Sequence, residues 1–338
     1  MTRVSAIVLA YGDEAGLAEC VDAVLASSGV DVDVVLVDNG CTIPGLVHEV
    51  AKRDGVSLVT PPENLGYAGG CNVGAGHATG EVLAFVNSDA IVAPSALAAL
   101  VARLEDEQVG LVTASVRLAE DPTLLNAAGN PLNILGVAWA GHFREPAADY
   151  DSPRPVTLIS GATFACRRSV WDALGGFDPA YFAYHEDTEL SVRCWQRGWQ
   201  IWYVPEAVSV HHYEFSRNPR KLSLVERNRL FNLTVLWEAR TLLLLLPPLV
   251  AFELAMLALA IRQRWLRGKV EGYRWLWQHR DHLRARRSQV QRERVVPDRV
   301  VARMLTPAIT AANVELPAGI RAVNAVLTVY WWLARRLI

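Results

Sequence analysis

Cysteine is scarce in this sequence, with five residues among 338. Their number is odd and no two are spaced as C-x-x-C, which argues against a disulfide framework and favours a reducing compartment. The five are Cys20, Cys41, Cys71, Cys166 and Cys194. We expect each to be a small buried apolar residue.

Two phosphate-binding signatures are missing as well. The Gly-rich stretch Glu63–Gly76, ENLGYAGGCNVGAG, is neither G-x-G-x-x-G nor a P-loop, so those two kinds of nucleotide site are not indicated. There is no internal repeat. The run Val4–Tyr11 is too short for the apolar core of a signal peptide with a cleavage site, and we expect a strand there.

Charge is close to balanced overall, at −2, but it is unevenly distributed. Residues 262–303 contain 13 Lys and Arg against 4 Asp and Glu, a net charge of +9, which leaves −11 for the rest. A basic segment on an acidic body indicates a polyanion or an anionic membrane surface as partner.

The first 115 residues alternate short apolar runs with amphipathic segments, which predicts an α/β fold with a doubly wound, mostly parallel sheet. Ligands of such sheets bind beyond the carboxyl ends of the strands. Three polar clusters follow predicted strands there: Tyr11–Glu14, Asp38–Asn39 and Asn87–Asp89.

Each cluster has a plain alternative. Asp89 in NSDA suits a hard cation that takes only one or two protein carboxylates, but Asn, Ser and Asp also favour turns. Asp38 suits a ribose or a base edge, or again a turn. The Gly-rich stretch opens a helix whose N-terminus favours an anion, or is a structural loop. His211 and His212 are metal ligands or a polar strand end.

The stretch FAYHEDTEL, Phe182–Leu190, sets acids beside aromatic residues. If a helix begins near Glu186, then Asp187 lies on its apolar face, where an unpaired carboxylate is costly to bury. Asp187 is then either a base for chemistry or an N-terminal capping acid. We expect Glu189 and Arg193, four residues apart, to form a surface pair.

In combination and in this order, the motifs resemble a family 2 glycosyltransferase of the GT-A fold. They are most similar to the bacterial rhamnosyltransferase-like branch that builds cell-envelope glycans, and the resemblance covers roughly residues 3–240. The stretches that carry it are AIVLAY, VLVDNG, ENLGYAGGCNVG, FVNSDA, SGATFACRRSVW, GGFDPAYFAYHEDTELSVRCWQRGW and VSVHH.

That resemblance implies roles for the donor-side residues. It assigns Ala10, Tyr11 and Asp38 to the base and ribose of a UDP-, TDP- or GDP-sugar. The residues that would shape the rest of the nucleotide-sugar pocket are Asn64, Gly66, Asn72 and Asn87.

The resemblance also implies a divalent cation, Mg²⁺ or Mn²⁺. Asp89 matches the last Asp of the family's D-x-D motif, but Asn87 stands at its first position, which weakens a two-carboxylate site. His211 matches the family's histidine after the last strand, with His212 as the substitute.

For the reaction, the resemblance makes Asp187 the catalytic base of an inverting transfer and leaves Glu186 as its acceptor-side or structural neighbour. Arg227 and Asn228 fall where the branch often carries an RN pair, to which we assign no role from the sequence.

Three regions are expected: a nucleotide-sugar-binding half, 1–115, an acceptor-binding and catalytic half, 116–240, and a helical, membrane-associated region, 241–338. The apolar run Thr241–Ile261 is long enough to span a bilayer. We expect Pro247–Pro248 to break the helix, and Glu253 is expensive in lipid. A helix pair lying on the cytoplasmic face of the membrane is therefore favoured, with spanning left open.

The leading hypothesis is an inverting, metal-dependent glycosyltransferase with a lipid-linked or cell-envelope acceptor, and a homodimer is left open. A catalytically silent nucleotide-sugar-binding membrane scaffold is the alternative. Trp residues interleaved with the basic residues suit a membrane better than nucleic acid, which we do not expect as a partner.

Overall fold

The computed structural model describes residues 1–212, 221–312, 316 and 318–338. The strands are β1 Arg3–Gly12, β2 Asp31–Cys41, β3 Val56–Val59, β4 Val82–Asn87, β5 Ala90–Val92, β6 Val109–Leu118, β7 Leu125–Ala127, β8 Arg154–Pro155, β9 Thr163–Arg167 and β10 Gln200–His211. The helices are α1 Leu17–Leu25, α2 Leu46–Val50, α3 Gly66–His77, α4 Ala96–Leu104, α5 Arg168–Leu174, α6 Glu186–Gln196, α7 Lys221–Leu236, α8 Ala239–Arg262, α9 Leu266–Gln278, α10 Arg280–Glu293, α11 Asp298–Ala302 and α12 Ile320–Ala334.

One sheet organises the fold, with strand order β3-β2-β1-β4-β9-β6-β10-β5 and with β7 and β8 paired to β6 and β10. The first four strands are parallel, as are β6 and β10, whereas β9 runs antiparallel between β4 and β6. Strands β1, β2 and β4 are near-continuous apolar runs because helices cover both faces of the sheet. The predicted α/β, mostly parallel sheet is confirmed.

Helix α3 is rich in glycine because it packs very close to this sheet. A β-carbon on Gly70 would lie 2.4 Å from Cδ1 of Leu9 on β1, so any side chain there would force Leu9 to shift. Much of the glycine in the motif therefore serves packing, and the N-terminus of α3 is brought against the ends of β1 and β2.

Helix α6 begins at Glu186 as predicted, but its acids are not at the surface. Glu189 is fully buried, and its carboxylate lies 2.7 Å from Arg193 and 2.7 Å from Arg286 of α10. The expectation of an exposed pair was wrong, because a second cation from the C-terminal region covers Glu189 and makes burial of its charge tolerable.

The C-terminal helices pack on α6 and α7 and place their own ions inside. Glu226 and Arg229 of α7, Glu253 of α8 and Lys269 of α9 form one cluster, with Lys269 Nζ 2.5 Å from Glu226 and 2.7 Å from Glu253. Burial alone would raise the pKa of Glu226, but the charges of Arg229 and Lys269 hold that pKa below its usual value. Part of the +9 segment is thus neutralised within the protein.

Helix α8 is continuous through Pro247 and Pro248, so the predicted break was wrong. A proline at position 248 cannot donate to the carbonyl of Leu244, four residues earlier. The hydroxyl of Tyr330 on α12 donates to that carbonyl instead, which replaces the missing bond and fastens α12 to α8.

We predict that Lys269→Ala lowers the free energy of unfolding by about 3 kcal/mol, since it leaves the buried Glu226 and the half-buried Glu253 short of a cation. Lys269 is only 2% exposed. The matched control is Arg267→Ala on the same helix, whose side chain is 92% exposed and pairs with Glu271. It should change stability by less than about 1 kcal/mol in denaturant unfolding. Equal effects would show that the cluster adds nothing beyond a surface pair.

Candidate active site

The carboxyl ends of β1 and β2 bring three of the predicted donor-side residues together. Ala10 is the register partner of Asp38, and Tyr11 follows with its ring exposed beside Gly40. Oδ1 of Asp38 accepts hydrogen bonds from the backbone N–H groups of Gly40, at 3.2 Å, and Cys41, at 3.0 Å. The carboxylate is thereby held in place at the edge where a ligand would enter.

Asn39 joins this edge to the Gly-rich stretch. Its amide nitrogen donates to Asn64 Oδ1 at 3.0 Å and to the carbonyl of Gly66 at 3.1 Å, and its Oδ1 accepts from the Leu65 N–H at 2.9 Å. Asn64 Oδ1 also accepts from the Gly66 N–H at 2.8 Å. Asn64 and Gly66 are thus held against β2 by Asn39, to which sequence reasoning assigned no individual role.

Asn72 lies one and a half turns further along α3, where its side chain braces the backbone of the GGFD turn. Its amide donates to the Phe177 carbonyl at 2.8 Å and accepts from the Phe177 N–H at 3.0 Å. Both polar atoms of Asn72 are therefore engaged with protein.

Asp89 and His211 meet across the end of the sheet. Residue Ala90 pairs with His211 in the β5–β10 ladder, and His211 Nε2 lies 3.1 Å from Asp89 Oδ1. His211 Nδ1 lies 3.0 Å from Asn126 Oδ1. With its proton on Nδ1, toward that amide oxygen, His211 would present the lone pair of Nε2 to the carboxylate.

This pair fits a divalent cation. A lone pair facing a carboxylate oxygen requires a proton or a metal ion between them, and imidazole nitrogen and carboxylate oxygen are both metal ligands. Among the described residues there is no cluster of three or more His, Cys, Asp or Glu that could hold a metal. The side chain of His212 is exposed, and only its backbone N–H contacts Asp89, at the carbonyl.

Glu186 and Asp187 form a buried acidic pair at the start of α6. Burial, reinforced by the neighbouring charge of Asp187, raises the pKa of Glu186 well above its usual value, and burial also raises the pKa of Asp187. Oδ1 of Asp187 accepts from the Thr188 N–H at 2.7 Å. Glu186 is buried whereas Asp187 is half-buried, so the carboxylate of Asp187 is the more accessible of the two.

The turn at residues 160–162 contacts both the acidic pair and the NSD turn, Asn87–Asp89. A β-carbon on Gly161 would lie 3.7 Å from Oδ2 of Asp187, and the Tyr67 hydroxyl of α3 donates to the Gly161 carbonyl at 2.8 Å. The next carbonyl, that of Ala162, accepts from the Asn87 N–H at 2.9 Å. Asp187, α3 and the NSD turn therefore meet around one short segment.

Sequence reasoning missed the residues that orient these groups. Asn39 was marked only as polar, although it directly follows Asp38. Asn126 gave no signal, because it is 85 residues from His211 along the chain. His185 precedes the acidic pair in a left-handed conformation with φ 68°. Burial, and then the charge of Arg229, lower its pKa to about 4, so it is neutral at pH 7.

Comparison with known proteins identifies the family of the chain. Residues 2–230 match the model of the family described as glycosyltransferase like family 2. The chain is 29% identical over 205 residues to N-acetylglucosaminyl-diphospho-decaprenol L-rhamnosyltransferase of Mycobacterium tuberculosis, a match that covers 54% of this chain and 66% of that one. It is 29% identical over 209 residues to the O-antigen biosynthesis protein RfbC of Myxococcus xanthus, covering 58% and 16% of the two chains.

Among solved structures, the mannosyltransferase PcManGT of Pyrobaculum calidifontis, in complex with GDP-Man and Mn²⁺, superposes with a TM-score of 0.51 at 21% identity, covering 99% of this chain and 86% of that one. GalNAc-T7 with UDP, GalNAc and Mn²⁺ gives 0.58 at 19% identity, over 71% and 49%. The fold is that of the GT-A glycosyltransferases. The chain belongs to glycosyltransferase family 2, and it is similar to an L-rhamnosyltransferase and to an O-antigen biosynthesis protein.

Proposed function

We propose that this protein is an inverting, cation-dependent glycosyltransferase that moves a sugar from a UDP-, TDP- or GDP-sugar to a lipid-linked or cell-envelope glycan. One observation carries the proposal: the 160–162 turn lies against the half-buried carboxylate of Asp187 and also accepts from the N–H of Asn87, which begins the NSD turn that carries Asp89. The mycobacterial relative makes rhamnose the first sugar to test and an N-acetylglucosaminyl-diphospho lipid the first acceptor.

The transfer needs a base on the acceptor side. The acceptor hydroxyl oxygen forms a bond to the anomeric carbon from the face opposite the diphosphate, while the bond from that carbon to the diphosphate oxygen breaks. Asp187 takes the hydroxyl proton, and the electron pair of the broken bond leaves with the nucleoside diphosphate. The raised pKa of Asp187 improves its match to this task, because a carboxylate of ordinary pKa is a weak base.

The leaving group needs its charge neutralised. Asp89 and His211 would hold a divalent cation, which supplies charge stabilisation to the departing diphosphate. Two protein ligands suffice for Mg²⁺ or Mn²⁺ when phosphate oxygens and water complete the shell. Ala10, Tyr11 and Asp38 would receive the nucleoside, and the residues that shape the surrounding pocket would be Asn64, Gly66, Asn72 and Asn87.

We predict that Asp187→Asn keeps donor binding but lowers kcat about a hundredfold or more, the usual cost of a lost general base. In the parent protein kcat should fall as pH drops through the raised pKa of Asp187, because only the carboxylate accepts a proton. Release of TDP from TDP-rhamnose, with a panel of UDP- and GDP-sugars beside it, measures this. Asp172→Asn, an exposed acid on α5, is the matched control.

Near-normal turnover of Asp187→Asn would move the base to Glu186, for which Glu186→Gln is the next variant. Absence of turnover in the parent protein, with donor still bound, would favour the silent scaffold instead.

We predict that Asp89→Ala abolishes the Mn²⁺-dependent part of nucleoside diphosphate binding while the protein stays folded. Calorimetry with UDP, TDP and GDP, with and without Mn²⁺, tests it, and Asp172→Ala again serves as control. Unchanged affinity in the presence of Mn²⁺ would contradict the metal role.

The same proposal places the protein at the membrane. Helix α8 is long and apolar enough to cross a bilayer, with a mean hydropathy of 2.3, and 6% of its apolar window is buried within the protein. One stripe along it is exposed, including Leu243, Leu246, Val250, Leu254 and Ile261. Helix α12 packs beside it with its own exposed apolar residues, Val323, Val326, Val329 and Leu333, and Leu337 follows the end of the helix.

Exposed cations flank this apolar surface. Arg262 and Arg264 end α8, and Arg335 and Arg336 end α12, with the Arg336 guanidinium 3.6 Å above the Trp332 ring. Arginine and tryptophan beside an apolar stripe suit the headgroup layer of an anionic bilayer. The proposed partner of this surface is therefore the cytoplasmic membrane face, where nucleotide sugars are available.

The ion cluster favours a helix lying along the membrane over one crossing it. Glu253 is near the middle of α8, and its partners Arg229 and Lys269 are almost fully buried in α7 and α9. A crossing helix would carry this cluster, and α7 with it, toward the bilayer centre, where charges are expensive.

We predict equal, shallow depths for fluorophores placed on the stripe. Leu246→Cys, Leu254→Cys and Ile261→Cys, each made with Cys41→Ser and labelled with NBD, should be quenched alike by nitroxides near the headgroups of anionic vesicles. Ser288→Cys on α10 should not be quenched. If the label at position 254 were quenched less than those nearer the helix ends, it would lie deepest in the bilayer and the helix would cross it. No quenching at any position would remove the membrane role.

A further inference from the structure

The loop of residues 178–185 leads from the GGFD turn to α6, and we call it the α6-entry loop. Its residues Phe182, Tyr184 and His185 have φ of 63°, 70° and 68°. Residues other than glycine rarely adopt this backbone conformation, and they remain in it only where surrounding contacts hold them. The loop ends directly at Glu186 and Asp187, so its shape sets where the acidic pair lies.

Asn228 of α7 supplies the first of these contacts. Its side chain is fully buried, and its amide nitrogen lies 3.0, 2.9 and 2.6 Å from the carbonyl oxygens of Tyr181, Ala183 and Tyr184. Its Oδ1 accepts from Nε of Arg227 at 2.8 Å, which turns the amide nitrogen toward the loop. The amide nitrogen of Asn228 thus contacts three carbonyl oxygens of the loop.

Arg227 supplies the second contact. Its Nη2 donates to the carbonyls of Ala180, at 3.0 Å, and Tyr181, at 2.6 Å. The guanidinium lies 4.3 Å from the centroid of Trp275 on α9. Arg227 therefore ties the loop to the C-terminal helices, because it donates to the loop carbonyls while its guanidinium lies over Trp275.

The opposite side of the loop touches the donor side of the site. The Phe182 carbonyl accepts from the Ala68 N–H of α3 at 3.1 Å, and a β-carbon on Gly66 would lie 2.2 Å from that same oxygen. The loop is consequently wedged between α7 and the first turn of α3, with Asp187 at its end.

We propose that Asn228 and Arg227 are positioning residues for the transfer reaction, which hold the α6-entry loop in the left-handed conformation that places Asp187. The proposal rests on the proposed role of Asp187 as base. Neither residue has to touch the substrate, because both act through the backbone of the loop.

A role confined to stability makes a different prediction. It would lower the melting temperature of a variant and leave the kcat of the folded protein unchanged. A positioning role lowers kcat and leaves nucleotide affinity nearly intact, because misplacing a reacting group by about 1 Å can cost about a hundredfold in rate.

The test compares Asn228→Ser with Asn133→Ser. Asn133 is a buried asparagine whose Oδ1 accepts from the Leu135 N–H at 2.8 Å. Rhamnosyl transfer from TDP-rhamnose to a synthetic N-acetylglucosaminyl-diphospho-prenol gives kcat, calorimetry with TDP and Mn²⁺ gives the nucleotide Kd, and thermal unfolding gives Tm. We expect kcat of Asn228→Ser to fall about a hundredfold with Kd little changed, and kcat of Asn133→Ser to stay near the parent value.

Arg227 provides a second pair of variants, which keeps the test open if Asn228→Ser does not fold. Arg227→Lys retains a cation that donates to the loop carbonyls, whereas Arg227→Met packs on Trp275 without donating. We expect Lys to retain most of kcat and Met to lose it.

Parent-like kcat in both Asn228→Ser and Arg227→Met would overturn the proposal, as would an equal loss in Asn133→Ser. The underlying function is tested separately. If Asp187→Asn is fully active, the assignment of the base is wrong; if it is inactive while these variants are active, only the positioning role is wrong.

Discussion

The structure depends on how helix α6 keeps carboxylates inside the protein. A buried acid is tolerable only with a partner, and Glu189 has two, Arg193 of its own helix and Arg286 of α10. Arg286 also lies 3.5 Å from Asp178, which His282 contacts at 2.8 Å. The helix that begins with the acidic pair is therefore completed by cations that lie about a hundred residues later in the chain. The C-terminal region is a structural part of the catalytic fold and not only an attachment to it.

The basic segment consequently has two populations of charge. Lys269, Arg286 and Arg294 point inward and pair with acids, and the last of these contacts Asp298. The outward-facing arginines remain for a membrane surface. The net charge of +9 over residues 262–303 therefore overstates what an anionic bilayer would meet. A count of charges cannot separate the two groups, since an arginine looks the same in sequence whether its partner is a carboxylate or a lipid.

The sequence was sufficient for the sheet, for the start of α6 and for the polar clusters at strand ends, because periodic apolar runs and strand-end chemistry are local signals. The resemblance pointed to Asp89 and His211, which the structure brings within 3.1 Å of each other. The predictions that were wrong concerned residues whose partners are distant along the chain. Glu189 looked like half of an exposed pair because its second partner, Arg286 of α10, is 97 residues away along the chain. Pro248 looked like a helix end because the hydroxyl of Tyr330 lies far along the chain. The division into regions 1–115, 116–240 and 241–338 and the oligomeric state remain predictions.

The continuous packing from α8 through α7 and the α6-entry loop to Asp187 has a geometric consequence. A catalytic domain on a flexible tether samples many heights above a bilayer, whereas here folding itself sets the distance of Asp187 from the exposed stripe. With the stripe buried in lipid, the site would lie at a constant distance from the membrane surface. A glycan anchored in the same bilayer would present its terminal hydroxyl at that height at only one stage of its growth, so the enzyme would select acceptors by length without measuring any sugar beyond the one it modifies.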